Sequence, residues 1–530
     1  MTDEFDAIVV GSGINGLVAA AELGRAGWSV LLLERNADIG GFIATEERTL
    51  PGYLHDTYSS WHPLFITGDA YASLREDLRE HGLAYRNTDG WITGSVADDG
   101  RVTLAHRDVA ETVAGFAVDE DRIAYIAMLD RLGKAMGPIG GLLNGEPRSP
   151  ALVRAGLGLL RVGAERWLRA AVTSGRAFCA TEFRGREVDH LWAPWLLHAG
   201  LSPDSASGGL LVPLQAGLLH SAGMPVVAGG SGRLLAAFRS LLGALAVRIE
   251  TGAEVEQILV DNRRVSGVVV RERTFRARRA VLASVTPTAL YGELLPANAV
   301  PDRIRDQATR FRYGRGEMQV HVALSAPLNW RDARLGEVPL FHLSDGSAGT
   351  AIACAEADAG LLPGRPTVVV GQQHVLDPSR VPAGAAALWL QLQELPFHPV
   401  GDAAGALDCS RGWTSDLAAA FVQRVLDRIS PHAPDLHDKI LAVDVITPRD
   451  LAAHNPNAVR GDPYGGSGEL DQSYLWRPLP ASGRHATCVR GLWHIGASTH
   501  PGPGLGGASG HLVATTLIQR RIGRSFGTSR

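Results

Sequence analysis

The run from Asp6 to Gly41, DAIVVGSGINGLVAAAELGRAGWSVLLLERNADIGG, limits the fold of this chain more than any other stretch. Ala7 to Val10 is a short apolar run of strand type, and the chain then turns on Gly11, Gly13 and Gly16. Leu17 to Arg25 reads as a helix, Ser29 to Leu33 as a second strand, and Glu34 stands at that strand's end. G-x-G-x-x-G gains meaning in this frame: after a strand, opening a helix, with an acid about 20 residues on. Gly11 allows the tight turn, Gly13 lets the backbone approach a pyrophosphate, and Gly16 lets helix and strand pack closely. The helix N-terminus offers unpaired N–H groups and a positive dipole end to phosphates. Glu34 can accept hydrogen bonds from a ribose diol and would repel a 2′-phosphate, which argues against NADP. These residues alone admit NAD and FAD about equally.

At 530 residues the chain can bury more than one core, so two or three domains are expected. A formal net charge of -4 leaves no general basic surface for nucleic acid. Cys179, Cys354, Cys409 and Cys488 lie far apart, with no C-x-x-C and no metal-type cluster, which fits a reduced compartment and no metal site. The acidic N-terminus and the glycines that follow do not make a signal peptide. No apolar run approaches the ~20 residues needed to span a bilayer. A soluble, cytoplasmic protein is expected.

After Gly41 comes FIATEERTLPGYLHDTYSSWHPLF, dense in Tyr, His, Trp and Asp, ending where a helix from Asp69 to His81 begins. Residues 105–225 look mainly helical, with breaks at Gly137 to Gly141 and Gly145 to Pro150. Within them, Ala151 to Ser174 mixes apolar residues with Arg154, Arg161, Arg166 and Arg169. A basic amphipathic helix can lie on an anionic membrane surface. It can also be a cap helix with a solvated arginine face, and this second reading is preferred. Gly229, Gly230 and Gly232 precede a helix from Leu234 to Leu245, without the strand frame or the acid of a second dinucleotide site. Strands follow at Val247 to Ile249, Val255 to Val260, Val265 to Val270 and Arg278 to Ala283. Met318 to Leu324 and Ala387 to Gln393 alternate like strands of a largely antiparallel sheet, and Leu417 to Ile429 has helical spacing. The chain closes with GLWHIGASTHPGPGLGGASGHLVATTLIQR: a strand from Leu492 to Ile495, a turn at Gly496, a glycine run from Gly502 to Gly507, and a helix from Ala508. Such glycine density lets a backbone pass close to something flat or charged.

Three blocks carry a resemblance: the fingerprint through Gly41, the central PVVAGGSGRLLAAF…TGAEVEQILVDNRRVSGVVV…VLASVTP, and the closing GLWHIGASTHPGPGLGGASG. With them the chain resembles the phytoene-desaturase-like branch of the FAD-dependent flavin-containing amine oxidoreductases. The resemblance implies an α/β fold with a Rossmann-type, glutathione-reductase-like FAD-binding domain assembled from discontinuous segments. An α+β substrate domain with a mainly antiparallel sheet and a helical cap would complete it. The implied boundaries are 1–104, 226–286 and 486–530 for FAD binding, 105–225 for the cap and 287–485 for the substrate domain. Carried over by motif, Gly11, Ser12, Gly13, Asn15 and Gly16 would cradle the FAD pyrophosphate, with Ile14 in the same turn. Glu34 would hold the adenosine ribose with Arg35 beside it, and Gly40 and Gly41 would lie along the cofactor. Val255 would meet the adenine through its backbone, and Gly496 would return to the pyrophosphate. Gly504, Leu505, Gly506 and Gly507 would pass the flavin ring.

The resemblance implies an FAD-dependent dehydrogenase, desaturase or oxidase that forms a C=C or C=N bond in a largely apolar small molecule. No cysteine precedes Cys179, which excludes a disulfide reductase's redox pair after the first unit, and no second complete Rossmann unit is visible for a nicotinamide. Electrons would pass to oxygen, a quinone or another acceptor. Acid–base candidates are His55, Asp56, Tyr58, His62 and His500, with Tyr58 and His62 the leading pair because their segment should run beside the flavin. A structural hydrogen bond is the commoner fate of any one of them. Two alternatives stand beside the redox reading: flavin-assisted isomerisation or cyclisation, and an FAD-bound binding protein without catalysis. Peripheral membrane association through 151–174 is the partner expectation that goes with an apolar substrate.

Overall fold

The first sheet of the computed structural model, which describes residues 3–527, is parallel where it carries the nucleotide motif. The ends of the expected segments 1–104 and 486–530, residues 1–2 and 528–530, lie outside the described residues. Its strand order is Gln257–Asp261, Arg264–Val270, Arg273–Ser284, Glu4–Val10, Val30–Leu33 and Arg248–Glu250, with Leu492–Ile495 also paired to Arg273–Ser284. Glu4–Val10 runs parallel to both of its neighbours, and Leu492–Ile495 runs parallel to the far half of Arg273–Ser284. Ile8 to Val10 and Val30 to Leu33 are buried throughout, as continuous apolar runs are in a parallel sheet covered on both faces. The helices Ile14–Arg25, Gly232–Ala244 and Ala508–Gly527 are contributed by the three separate segments of this domain. Residues of all three meet in one core with Leu17, Phe238 and Val513.

The second sheet runs in the order Ile440–Ile446, Gly316–Leu324, Ala386–Leu395, Val368–Gly371, Leu340–Leu343, Trp91–Val96 and Val102–His106. All its pairs are antiparallel except Trp91–Val96 with Leu340–Leu343. The expected boundary at residue 104 therefore falls inside a strand of this sheet, because a hairpin's local pattern does not say which sheet it joins. In the two central strands Met318 pairs with Leu392 and Val320 with Leu390. Those residues pack on Leu417, Phe421 and Val425 of the helix Ser415–Ile429. The other face of the sheet looks toward the first domain and the cap.

The cap is built from helices Asp119–Leu143, Pro150–Arg161, Ala164–Val172, Gly175–Glu182 and Gly208–Ala222. The expected break at Gly137 to Gly141 does not occur: the first of these helices runs through Pro138, held by buried Ala135 and Ile139. Ala151 to Ser174 is two helices rather than one, divided at Gly163, which takes a left-handed φ of 89°. Only glycine adopts such a backbone without strain. Among the described residues no helix is long and apolar enough to cross a membrane, and Cys179, Cys354, Cys409 and Cys488 are all free thiols.

Candidate functional site

At the end of the first strand the glycines do three different jobs. Gly11 has φ 89°, so the turn itself requires it. A Cβ on Gly16 would stand 2.0 Å from Gly11 O, so helix and turn touch there. A Cβ on Gly13 would meet nothing within 4 Å. The helix opening at Ile14 has no side-chain cap and no acid in its first turn, so its N–H groups and dipole face that open space. This cradle fits a dinucleotide pyrophosphate.

Glu34, buried, locks the cradle from behind. Its Oε2 accepts from Ser12 N at 2.9 Å and Ser12 Oγ at 2.5 Å, and its Oε1 accepts from Asn36 N at 2.9 Å. A carboxylate has about four acceptor positions, so capacity is left for a ribose hydroxyl. Ser12 Oγ also accepts from Gly40 N at 3.0 Å, and a Cβ on Gly41 would lie 3.2 Å from Gly13 Cα. The second glycine pair thus closes over the first turn. Arg35 stands 3.7 Å from Glu254, which puts it beside Val255 at the expected adenine end.

The closing segment is tied into the fold at several points. Gly496 N donates to Ser509 Oγ at 3.1 Å, so this N–H is used within the fold and does not point at a pyrophosphate. In the glycine run, a Cβ on Gly504 would be 2.6 Å from Leu64 Cδ1, and one on Gly507 would be 2.8 Å from Val18 Cγ2. These glycines allow close passage over Leu64 and the first helix, while Leu505 packs on the core and Gly506 stays open. Asn15 Oδ1 accepts from Gly510 N at 3.2 Å, tying the last helix to the first turn.

Tyr58 and His62 do not form a pair. Tyr58 stacks on His454 at 4.6 Å and leans on Phe42 at 5.2 Å, while His454 Nε2 lies 3.0 Å from Gly41 O. Tyr58 therefore flanks the cradle, and burial pushes its pKa up to about 12. His62 is fully buried, with Nδ1 3.0 Å from the Tyr85 hydroxyl, and burial lowers its pKa to about 4. It reaches no cavity and holds the end of its loop. His500 is also buried, edge-on to Tyr474 at 5.4 Å, with its pKa lowered to about 4 by burial first and His485 second. His485 Nε2 lies 2.9 Å from His500 O and its Nδ1 2.5 Å from the Glu146 carboxylate, so His500 sits under the cap. His55 stands 5.0 Å from His321 and is held neutral, its pKa lowered to about 3 chiefly by burial. Asp56 is consumed by Arg380, Ser231 N and Thr45.

The second sheet supplies a polar wall that sequence reasoning missed. Glu317, Gln319 and His321 alternate with Met318, Val320 and Val322, and Trp389, Gln391 and Gln393 alternate with Leu388, Leu390 and Leu392. Alternation in a strand puts the polar set on one face. Trp389 Nε1 donates to Asp56 O at 2.9 Å and His321 Nε2 lies 3.2 Å from Thr57 O, so this face meets the loop that follows Gly41. Gln391 is paired on both sides, to Gln319 and Val369, yet keeps accessible surface, so part of this face is left uncovered by protein. Gln391 Nε2 donates to Glu317 Oε2 at 2.7 Å, and Gln393 Nε2 donates to the Tyr464 hydroxyl at 2.8 Å. The Tyr464 hydroxyl lies near Glu317 and offsets part of the effect of burial on its carboxyl. Burial pushes the Glu317 carboxyl up to about 8. The alternation was legible in each strand; the meeting of the two polar sets was not.

Residues 9–79 match the model of the NAD(P)-binding Rossmann-like domain. The chain is 29% identical to pyridine nucleotide-disulfide oxidoreductase domain-containing protein 2 of Rattus norvegicus, over 97% of this chain and 94% of that one. It is 26% identical to hydroxyneurosporene desaturase of Cereibacter sphaeroides, over 98% of each. Its fold matches that of a putrescine oxidase with a TM-score of 0.62 at 16% identity, over 98% of this chain and 99% of the other. With a cradle that fits a dinucleotide and relatives that span its length, the chain is an FAD-dependent oxidoreductase, similar along its length to a carotenoid desaturase, and it shares its fold with amine oxidases.

Proposed function

We propose that the substrate is a largely apolar small molecule, that it loses a hydride and a proton to form a C=C or C=N bond, and that the electrons pass to oxygen, a quinone or another acceptor. FAD, when bound, supplies the two-electron chemistry. Ser12, Gly13, Ile14, Gly40 and Gly41 hold its pyrophosphate in this reading, Glu34 its ribose, and Tyr58 flanks the bound group. The polar wall of the second sheet positions the substrate, and the proton lost with the hydride, from the neighbouring carbon or from the nitrogen, passes to water.

One observation carries the apolar part. On the two helices Pro150–Arg161 and Ala164–Val172, the side chains of Val153, Leu157, Leu160, Leu168 and Val172 face outward, Leu160 being 68% exposed. Val153, Leu157 and Leu160 follow helical spacing on one face, while Leu159 and Trp167 pack inward. Arg154 and Arg161 stand on the same helix, and among the described residues neither has an ion-pair partner. Apolar side chains with free arginines suit the surface of an anionic membrane. The reading is that the enzyme attaches there peripherally and draws its substrate from the lipid.

The acceptor has separate support. Gly229 to Gly232 follows a two-residue strand, Val226–Val227, that pairs with Tyr85–Arg86 outside the nucleotide sheet, so it makes no second cradle. The test is an anaerobic screen of the purified yellow protein for flavin bleaching with polyenes, cyclic amines and polycyclic compounds, followed by oxygen uptake and quinone reduction. A colourless protein that releases no FAD overturns the reading. Substrate and product of equal oxidation state, with no acceptor consumed, would select isomerisation instead.

A further inference from the structure

This face of the second sheet is polar where a plain hydrocarbon needs nothing polar. Glu317 is 2% exposed, and its Oε1 has no hydrogen-bond partner. Gln319 and Gln393 lie on the same face, both buried, and each also leaves its Oε1 without a partner. Buried polar atoms are nearly always paired, because leaving one unmade forfeits its hydration without return. A network built only for stability satisfies its own members. Glu394, next to Gln393, does so: its carboxylate accepts from Thr367 N at 2.5 Å and from Gln393 N at 3.2 Å. Glu317 does not. One of its oxygens is held by Gln391, and the other is left without a partner. Among the described residues no lysine or arginine pairs with it.

We propose that Glu317 is a substrate-recognition residue whose free oxygen takes a hydrogen bond from a hydroxyl or amine end group of an otherwise apolar substrate. Gln391 positions the carboxyl, and Gln319 and Gln393 supply further acceptors to the same end group. The raised pKa of the carboxyl suits either partner. A protonated Glu317 can bond a hydroxyl in both directions, and a cationic nitrogen can draw the proton off and pair with the carboxylate. A hydrocarbon polyene leaves these acceptors unmade and is a poor substrate. The inference rests on the redox reading above and narrows its substrate from apolar to apolar with one donating end.

The test uses the FAD-loaded enzyme and four probes: octane, 1-octanol, octylamine and butylamine. Binding is read as perturbation of the flavin absorbance spectrum and as a thermal shift. Expected is at least tenfold tighter binding of octanol or octylamine than of octane, with the preference gone in Glu317→Leu. Glu317→Gln, which is isosteric, separates the two donors: it keeps octanol and loses octylamine at least tenfold if the end group is cationic. If Glu317→Leu fails to retain FAD, Gln391→Leu replaces it, with a loss of threefold or more expected. Equal binding of octane and the donor probes overturns the proposal and leaves the apolar reading standing. Butylamine binding as tightly as octylamine, with Glu317 still required, overturns the apolar reading and leaves this one standing. Absence of binding by every probe overturns both.

Discussion

Arg380 places Nη1 2.5 Å from Asp56 Oδ2, and both side chains are essentially cut off from solvent. Asp56 belongs to the loop after the nucleotide turn, and its other oxygen accepts from Ser231 N at 2.7 Å and Thr45 Oγ1 at 2.7 Å. Arg380 also donates to Val227 O at 2.7 Å. One guanidinium thus joins the first nucleotide-binding segment, the second, and the substrate domain. Burial alone would raise the Asp56 pKa, but Arg380, Ser60 and Ser231 together hold it below the ordinary carboxylate value.

Removing one partner of a buried ion pair strands the other. Arg380→Leu is expected to destabilise the protein by about 3–5 kcal/mol. Thermal unfolding and the FAD content of the purified variant measure this. A stable variant with full FAD content would show that Asp56 finds its charge balance elsewhere.

Gly13 and Gly16 separate folding from cofactor binding. Gly16→Ala puts a methyl 2.0 Å from Gly11 O and should unfold the turn, giving little soluble protein. Gly13 has φ −60° and ψ 171°, which alanine adopts freely, and open space above it. Gly13→Ala should therefore fold with an unchanged melting temperature. Its methyl would occupy the pyrophosphate path, so FAD affinity, measured by titration of the stripped protein, should fall at least tenfold.

Glu317 gives a pH dependence with a definite sign. Its folded pKa, about 8, lies above the ordinary value of 4.5. The folded state therefore binds this proton more tightly than the unfolded chain. Stability from this group is full below about pH 4.5 and is lost as pH rises toward 8. Glu317→Gln removes that loss. The melting temperature of the variant relative to wild type should be higher at pH 8.5 than at pH 5.5, and a flat difference would contradict the raised pKa.

The outward face of the helical pair gives a further test. Leu157→Ser with Leu168→Ser alters only exposed side chains and should change stability by no more than about 0.5 kcal/mol. Flotation with phosphatidylcholine vesicles containing a quarter phosphatidylglycerol should show binding of wild type and loss in the double variant. Arg154→Glu with Arg161→Glu should weaken binding to these vesicles but not to neutral ones. Binding that is indifferent to all four changes would remove this face from any role at a membrane.

What could be read in the sequence was whatever a short stretch decides for itself. The turn at Gly11 to Gly16, the acid at Glu34 and the closing strand Leu492–Ile495 each carry their meaning locally, and each takes its expected place in the first sheet. The hairpin Trp91–His106 shows why domain limits were harder. It was placed with the first FAD-binding segment, but its membership depends on Leu340–Leu343, far along the chain. The same holds for the wall of the site. Glu317 and Gln391 alternate visibly in their own strands, and only antiparallel pairing brings the two together. His62 was misjudged for a different reason. Proximity to the glycine turn in sequence says nothing about which way a ring points, and this one points to Tyr85.

The strand Arg273–Ser284 has a consequence for how the enzyme is made. Its far half pairs with Leu492–Ile495, and the helix after that strand packs on the nucleotide turn at Gly510. A ribosome delivers the N-terminal turn long before Leu492–Ile495. Through most of synthesis the nascent sheet exposes an unpaired edge at Val281 to Ser284, beside a cradle without its last side. The cradle therefore gains its last side only once that strand and its helix have folded into place. Truncations near the C-terminus should yield apoprotein prone to edge-to-edge association rather than a weakened enzyme.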